Sequence, residues 1–168
     1  MIAEFKITKE DLIAQQRNAL KNTKFHKKTR IMQLVIYFFA VILIVFIINP
    51  SPSNIRFGLL LFLVLSPLSW WFYGYAVINR FKKDVLKHLK NKIGPITLSL
   101  SEDKIIKESQ HLTEKIQWNE LVRFTEDEKR YFLYLSDINI ITIKKEPDNM
   151  NTKEIMEYQA FIKTKVNN

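Results

Sequence analysis

IMQLVIYFFAVILIVFIINPSPSNIRFGLLLFLVLSPLSWWFYGYAVI, residues 31–78, decides the architecture of this chain. Residues 31–55 contain no Asp, Glu, Lys or Arg, and neither do residues 57–79. Each stretch exceeds the roughly 20 residues that a helix needs to cross about 30 Å of hydrocarbon. A core helix of a soluble protein is shorter and carries a polar stripe, and these carry almost none. The stretch therefore reads as two transmembrane helices, residues 31–49 and 57–78, joined by a short external loop at 50–56. Pro50 and Pro52 force the reversal between them. Pro67 lies inside the second span, where it removes a backbone donor and is able to kink the helix. Tyr73 and Tyr75 are expected to belt the membrane interface, whereas Trp70 and Trp71 fit either that belt or the inside of the hairpin.

Working outward, the flanks are basic. Residues 1–30 hold eight Lys or Arg against three acids, and residues 80–92 hold six against Asp84 alone. The loop between the spans carries only Arg56, and residues 93–168 are slightly acidic, with eleven basic residues against thirteen acids. Basic segments remain in the cytoplasm while short uncharged loops cross. Both termini are thus expected inside, against a bilayer with an anionic inner leaflet. Lys27, Lys28, Arg30, Arg80, Lys82 and Lys83, with Tyr73 and Tyr75, are the candidate membrane-interface residues. Because the positive charge sits beside the spans and not on the C-terminal part, nucleic acid is not the expected partner. The first apolar run follows 30 mostly polar residues and lacks a small-x-small cleavage site, so an uncleaved anchor is expected.

Before the first span, EFKIT alternates as a short strand does. Thr8 and Asp11 resemble a capping box. The helix they open is expected to run straight into the first span as a solvated or surface-lying stalk, since its apolar positions are sparse. After the second span, residues 79–94 read as a basic amphipathic connector, with Phe81, Val85 and Leu89 recurring every four residues and Leu86 and Ile93 alongside. Gly94 and Pro95 signal its end. From residue 95 the pattern changes. ITLSL, DKIIKES, LTEKIQW, LVRFTED, YFLYLSD and INIITIKK are short, rich in β-branched and aromatic residues, and separated by polar turns. Ile96, Leu98 and Leu100 alternate, as do Leu112, Ile116 and Trp118. A helix follows, capped by Asn151 and Glu154, with Ile155, Tyr158, Ile162 and Val166 in one stripe. The fold class is therefore α+β: a two-helix hairpin plus an antiparallel meander or barrel of pleckstrin-homology-like type, residues 95–168, closed by a C-terminal helix.

The run LSEDKIIKES…IQWNELVRFTEDEKRYFLYLS, residues 98–136, resembles the YcxB-like family of small bacterial membrane proteins. Its elements are ED-x-I, then I-x-W-x-E-L, then E-x-x-x-x-Y-F-L-Y. The two spans, the basic connector and the final helix extend the likeness over the whole chain. The resemblance implies a pleckstrin-like cytoplasmic domain fused to a membrane hairpin in the plasma (inner) membrane of a bacterium; it transfers no catalytic residue. A Pro-Lys-Arg-like element is expected after the sixth of these strands, and IKKEPDN stands there instead.

Chemistry is scarce. The chain has no cysteine and three glycines, none in a phosphate-cradling loop. His26, His88 and His111 lack metal-ligand spacing, and His88 and His111 are expected to be solvated. Glu102/Asp103 and Glu126/Asp127/Glu128 fall in turns where charge faces water. The spans hold no ionisable Asp, Glu, Lys, Arg or His, which argues against a proton-coupled transporter. Trp118 is expected in the core. No cofactor, metal or catalytic residue is expected. The reading is a membrane-tethered, non-catalytic binding or regulatory module acting on another membrane or cytoplasmic protein, with homo-oligomer formation left open. The alternative is an immunity protein protecting against a membrane-active peptide toxin or bacteriocin.

Overall fold

The computed structural model describes residues 1–87, 92–110 and 112–167. His88, Leu89 and His111 lie outside the described residues, as does the side chain of Leu86. The order is β1 (Ile2–Ile7), α1 (Lys9–Asn22), α2 (Lys24–Ile48), α3 (Pro52–Lys87), β2 (Gly94–Leu100), β3 (Lys104–Ser109), β4 (Thr113–Gln117), β5 (Arg123–Glu126), β6 (Arg130–Tyr134), β7 (Ile140–Lys144) and α4 (Thr152–Asn167). The chain divides into a unit formed by Leu20–Arg80 and another formed by Met1–Ala19 with Phe81–Asn168.

The first unit is a helical hairpin. Its entry departs from the continuous helix expected from the sequence. Thr23 adopts an extended conformation (φ −89°, ψ 143°), and its hydroxyl accepts from the His26 amide at 3.4 Å. A threonine that bonds the backbone this way ends one helix and starts the next, so α1 and α2 are separate. The reversal is tighter than expected, occupying residues 49–51. Pro52 opens α3 at the first helical position, where its missing amide costs nothing, and the Ser51 hydroxyl accepts from the Asn54 amide at 3.3 Å. Further along, α3 runs on through Pro67. Proline cannot donate to the carbonyl four residues back, and the Ser66 hydroxyl donates to that Leu63 carbonyl at 3.3 Å. Gly58 sets the helix spacing, since a Cβ there would lie 2.7 Å from Val45 Cγ2. Beside it Phe62 stacks on Tyr37 at 5.6 Å and meets Phe38 edge-on at 5.3 Å. Both helices are long and apolar enough to cross a membrane.

In the second unit all strand pairs are antiparallel, in two sheets ordered β1-β2-β3-β4 and β5-β6-β7. The meander read from the sequence is present, but it does not close into a barrel. A 3-10 turn at Trp118–Glu120 separates β4 from β5, and among the described residues no ladder joins the sheets. The N-terminal strand does join: β1 pairs β2 from Ile2↔Ser99 to Ile7↔Gly94. Gly94 and Pro95, read as a helix stop, are the first two residues of β2, with Gly94 at φ +153° where a side chain would be strained. The PDN loop covers the outer edge of β1. The Asp148 amide donates to the Glu4 carbonyl at 2.7 Å, while Asn149 accepts from the Glu4 amide at 2.9 Å and donates to the Ile2 carbonyl at 3.2 Å. An open edge strand invites foreign pairing, and this loop blunts it.

The period-2 alternation puts Phe5, Leu98, Ile105 and Ile116 into one core with Tyr131, Leu133, Ile141 and Ile143 of the second sheet. α4 seals the two sheets together, burying Tyr158 and Ile162. The Tyr158 hydroxyl donates to the Lys144 carbonyl at 3.0 Å, and Lys165 pairs with Glu102. The cap expected at Asn151 is present, its carboxamide accepting from the Glu154 amide at 3.1 Å while Glu154 accepts from the Asn151 amide at 2.8 Å. Val85 is fully buried in the same core, with Phe81 packed against it, so the connector stripe turns inward.

Candidate functional site

Strand alternation itself exposes an anomaly. Ile105 and Ile116 are cross-strand partners facing the core. Two residues along each strand, the same face carries Lys107 and Glu114, also directly opposed, in an ion pair at 2.8 Å. A closed core would hold aliphatic residues there. Instead a cavity of about 360 Å³ opens, with Ile7, Leu12, Phe81, Ile96 and Ile141 among its apolar walls. Such a volume lies within the range of about 300–1,000 Å³ usual for small-molecule sites. At the lining, the Gln15 amide donates to the Ile140 carbonyl at 3.1 Å, and the Thr142 hydroxyl donates to Gln15 Oε1 at 2.9 Å. Two aliphatic side chains of the lining are strongly exposed, Ile138 at 81% and Leu112 at 58%. Ile138 sits in a tight turn in which the Ser136 hydroxyl accepts from the amides of Ile138 and Asn139 at 3.3 and 3.0 Å. The expected core alternation of Leu112 with Ile116 and Trp118 thus fails at Leu112, which precedes β4.

The face of the β5-β6-β7 sheet opposite the core is covered too, and α1 covers it. Asp11, Gln15 and Asn18 recur along one side of this helix. Asp11 meets Arg130 Nε at 2.5 Å, Gln15 meets Thr142, and Asn18 accepts from the hydroxyls of Thr125 (2.7 Å) and Tyr134. α1 is therefore not the solvated stalk expected from its sparse apolar content, because amide and carboxylate side chains do the packing. Asp11 also caps its own helix, accepting from the Thr8 amide and hydroxyl, both at 2.8 Å. Burial pushes the Asp11 pKa up, but the bonds from Arg130 and Thr8 outweigh it and hold the carboxyl below its usual value. Burial likewise pushes the Tyr131 phenol up to about 12, helped by Glu126, so it stays neutral.

The candidate interface residues take several environments. In the hairpin unit Lys27, Lys28, Tyr75 and Arg80 are exposed, whereas Arg30 and Tyr73 are half-buried. The Tyr73 hydroxyl lies 2.8 Å from His26 Nδ1. The Arg30 guanidinium sits over the rings of Trp70 (5.0 Å) and Tyr73 (5.3 Å), a cation–π clamp between α2 and α3. Tyr75 stacks on Trp71 at 5.8 Å, both rings exposed. In the other unit Lys82 is half-buried and Lys83 exposed.

Several acids read as solvated turn charges have partners: Glu126 pairs with Lys145 at 2.8 Å, Asp127 with Arg130 at 3.1 Å, and Glu102 with Lys165. Trp118 packs at the rim of the core, donating to the Ser101 carbonyl at 2.9 Å and meeting Phe161 edge-on. Among the described residues no group of three His, Asp or Glu is placed to hold a metal ion.

Residues 100–162 match the YcxB-like protein family. The YcxB-like segment runs from the last residue of β2 into α4, and so bears out the resemblance centred on residues 98–136 with its closing helix. The hairpin, α1 and β1 lie outside the matched segment. No curated protein and no solved structure matches the chain.

Proposed function

We propose that this protein is a membrane-tethered binding module: a pleckstrin-homology-like cytoplasmic domain held at the inner leaflet by a two-span hairpin, acting by recognition and not by catalysis. The observation that carries the reading is the β1–β2 ladder. β1 precedes both apolar helices and β2 follows them, yet the two strands share one sheet. A bilayer cannot run between hydrogen-bonded strands, so the helices cross as a pair or not at all. The basic flanks then select the cytoplasmic side. The four-plus-three strand arrangement under a C-terminal helix supports the pleckstrin-like assignment, and the cavity of about 360 Å³ supports recognition of a ligand. Confinement to a surface raises the effective concentration of such a domain toward any membrane-borne ligand.

The chain contains no cysteine, so single introduced thiols report topology cleanly. Ser53→Cys is expected to react with an impermeant maleimide in intact cells, and Asn119→Cys only after permeabilisation. Reaction of both in intact cells, or purification of the chain without detergent, would overturn the reading.

A further inference from the structure

We propose that the cavity beside Lys107 and Glu114 binds the acyl chain of a single-chain anionic amphiphile, a fatty acid or a lysophospholipid. The inference deepens the tethered-module reading and rests on it, because the bilayer is the source of such ligands.

Four observations converge on that chemistry. The pocket combines an apolar wall of Ile7, Leu12, Phe81 and Ile96 with a charged pair on the same core-facing side of the sheet. An apolar tail and a charged head require that pairing of surfaces. Among the described residues the charge count favours an anion, since Lys92 and Lys107 line the cavity with Glu114 as the one acid. Two aliphatic side chains of the lining, Leu112 and Ile138, are exposed. They extend an apolar path from the pocket outward, as a chain leaving it needs. Lastly, the β7 backbone at the pocket already uses the Ile140 carbonyl on Gln15, which leaves less ladder for an added peptide strand.

The experiment uses the full chain in phosphatidylcholine nanodiscs, which avoid competing detergent. The probe is a long-chain fatty acid with a diazirine near its methyl end. Label is expected on the pocket segments around residues 96, 107–114 and 138–142. Leu112→Asp combined with Ile138→Asp should lower that label by about tenfold, the scale of a 1.4 kcal/mol loss, while label on α2 and α3 stays constant. Ser109→Phe, which fills the cavity and also removes the hydroxyl that donates to the Leu112 carbonyl at 3.0 Å, should do the same. Lys107→Gln should weaken labelling by the fatty acid but not by an uncharged monoacylglycerol analogue. Competition by unlabelled fatty acid against lysophospholipid identifies the headgroup. Label confined to the hairpin helices, label unchanged in both the rim and the filling variants, or displacement only by a soluble protein would overturn the proposal. Maleimide topology of the same chain in cells separates the outcomes: a protected Asn119→Cys without pocket label removes this inference alone, whereas reaction of both Ser53→Cys and Asn119→Cys in intact cells removes the tethered reading as well.

Discussion

Asp11 shows how much one side chain settles. It is 2% exposed, caps α1 through Thr8 and pairs with Arg130 on β6. Removing one partner of a buried ion pair leaves a charge without compensation, which typically costs about 3–5 kcal/mol. Arg130 keeps its bond to Asp127, so Asp11→Ala is expected near the lower end, about 3 kcal/mol, measured by chemical denaturation in lipid nanodiscs. Asp11→Asn keeps an acceptor for the Thr8 cap but turns an N–H toward Arg130, losing that bond with the charge, and should cost less than Asp11→Ala, which loses the cap too. The pH dependence has a definite sign. Asp11 has a lower pKa folded than unfolded, so its contribution is complete above the unfolded carboxylate value of about 3.9 and is lost as pH falls through the folded value. The wild-type chain should therefore lose stability more steeply than Asp11→Asn below about pH 4, and parallel acid limbs would refute the assignment.

At the scale of elements, the hairpin depends on a close approach at Gly58. For a hairpin held in a bilayer, as proposed above, tight packing of small residues supplies much of the association. Gly58→Ala places a methyl 2.7 Å from Val45 Cγ2 and 3.4 Å from Val41 Cγ1, so the helices must part or the valines must shift. Overpacking of this kind costs roughly 1–3 kcal/mol. Val45→Ala in the same chain should restore most of the loss, and thermal unfolding of the two single variants and the double variant checks it as a cycle. Additive losses would mean that the two positions do not touch. The second sheet illustrates the opposite situation. Tyr131, Phe132, Leu133 and Tyr134 are all essentially buried, because the core takes alternate residues and α1 covers the others. A continuous apolar run of this kind is the sequence mark of a strand covered on both faces.

For the whole molecule, the decisive contact is made by the first strand. Ala3, Phe5 and Ile7 are buried in the core although more than 80 residues separate β1 from β2. Burying Phe5 and Ile7 contributes about 1.5–3 kcal/mol each, a large share of the 5–15 kcal/mol typical of a domain. Deleting residues 2–7 should therefore abolish cooperative unfolding of the C-terminal unit, seen as loss of slow amide exchange in β2 and β3. Retention of protected amides there would show that the matched segment and its neighbours fold without the N-terminal strand.

Much of this architecture is written locally. Uncharged runs at residues 31–55 and 57–79, the strand periods of Ile96, Leu98 and Leu100, and the boxes at Thr8/Asp11 and Asn151/Glu154 are short-range signals, and each maps onto an element of the predicted type. The capping threonine at position 23 was locally visible as well, but it competes with a helix-favouring context that conceals it. Other features have no local signature. That β1 completes the sheet of β2, that the strands stop at two sheets without closing a barrel, and that Asp11, Gln15 and Asn18 meet Arg130, Thr142 and Tyr134 all depend on pairings across 80 or more residues. The cavity belongs to this group through its walls, which set Ile7 and Leu12 against Ile96 and Ile141. Lys107 and Glu114 read as ordinary surface charges until the register sets them beside Ile105 and Ile116 on the face turned inward. Periodicity specifies which residues share a face, while only the packing of one face against another decides whether that face encloses a core or a pocket.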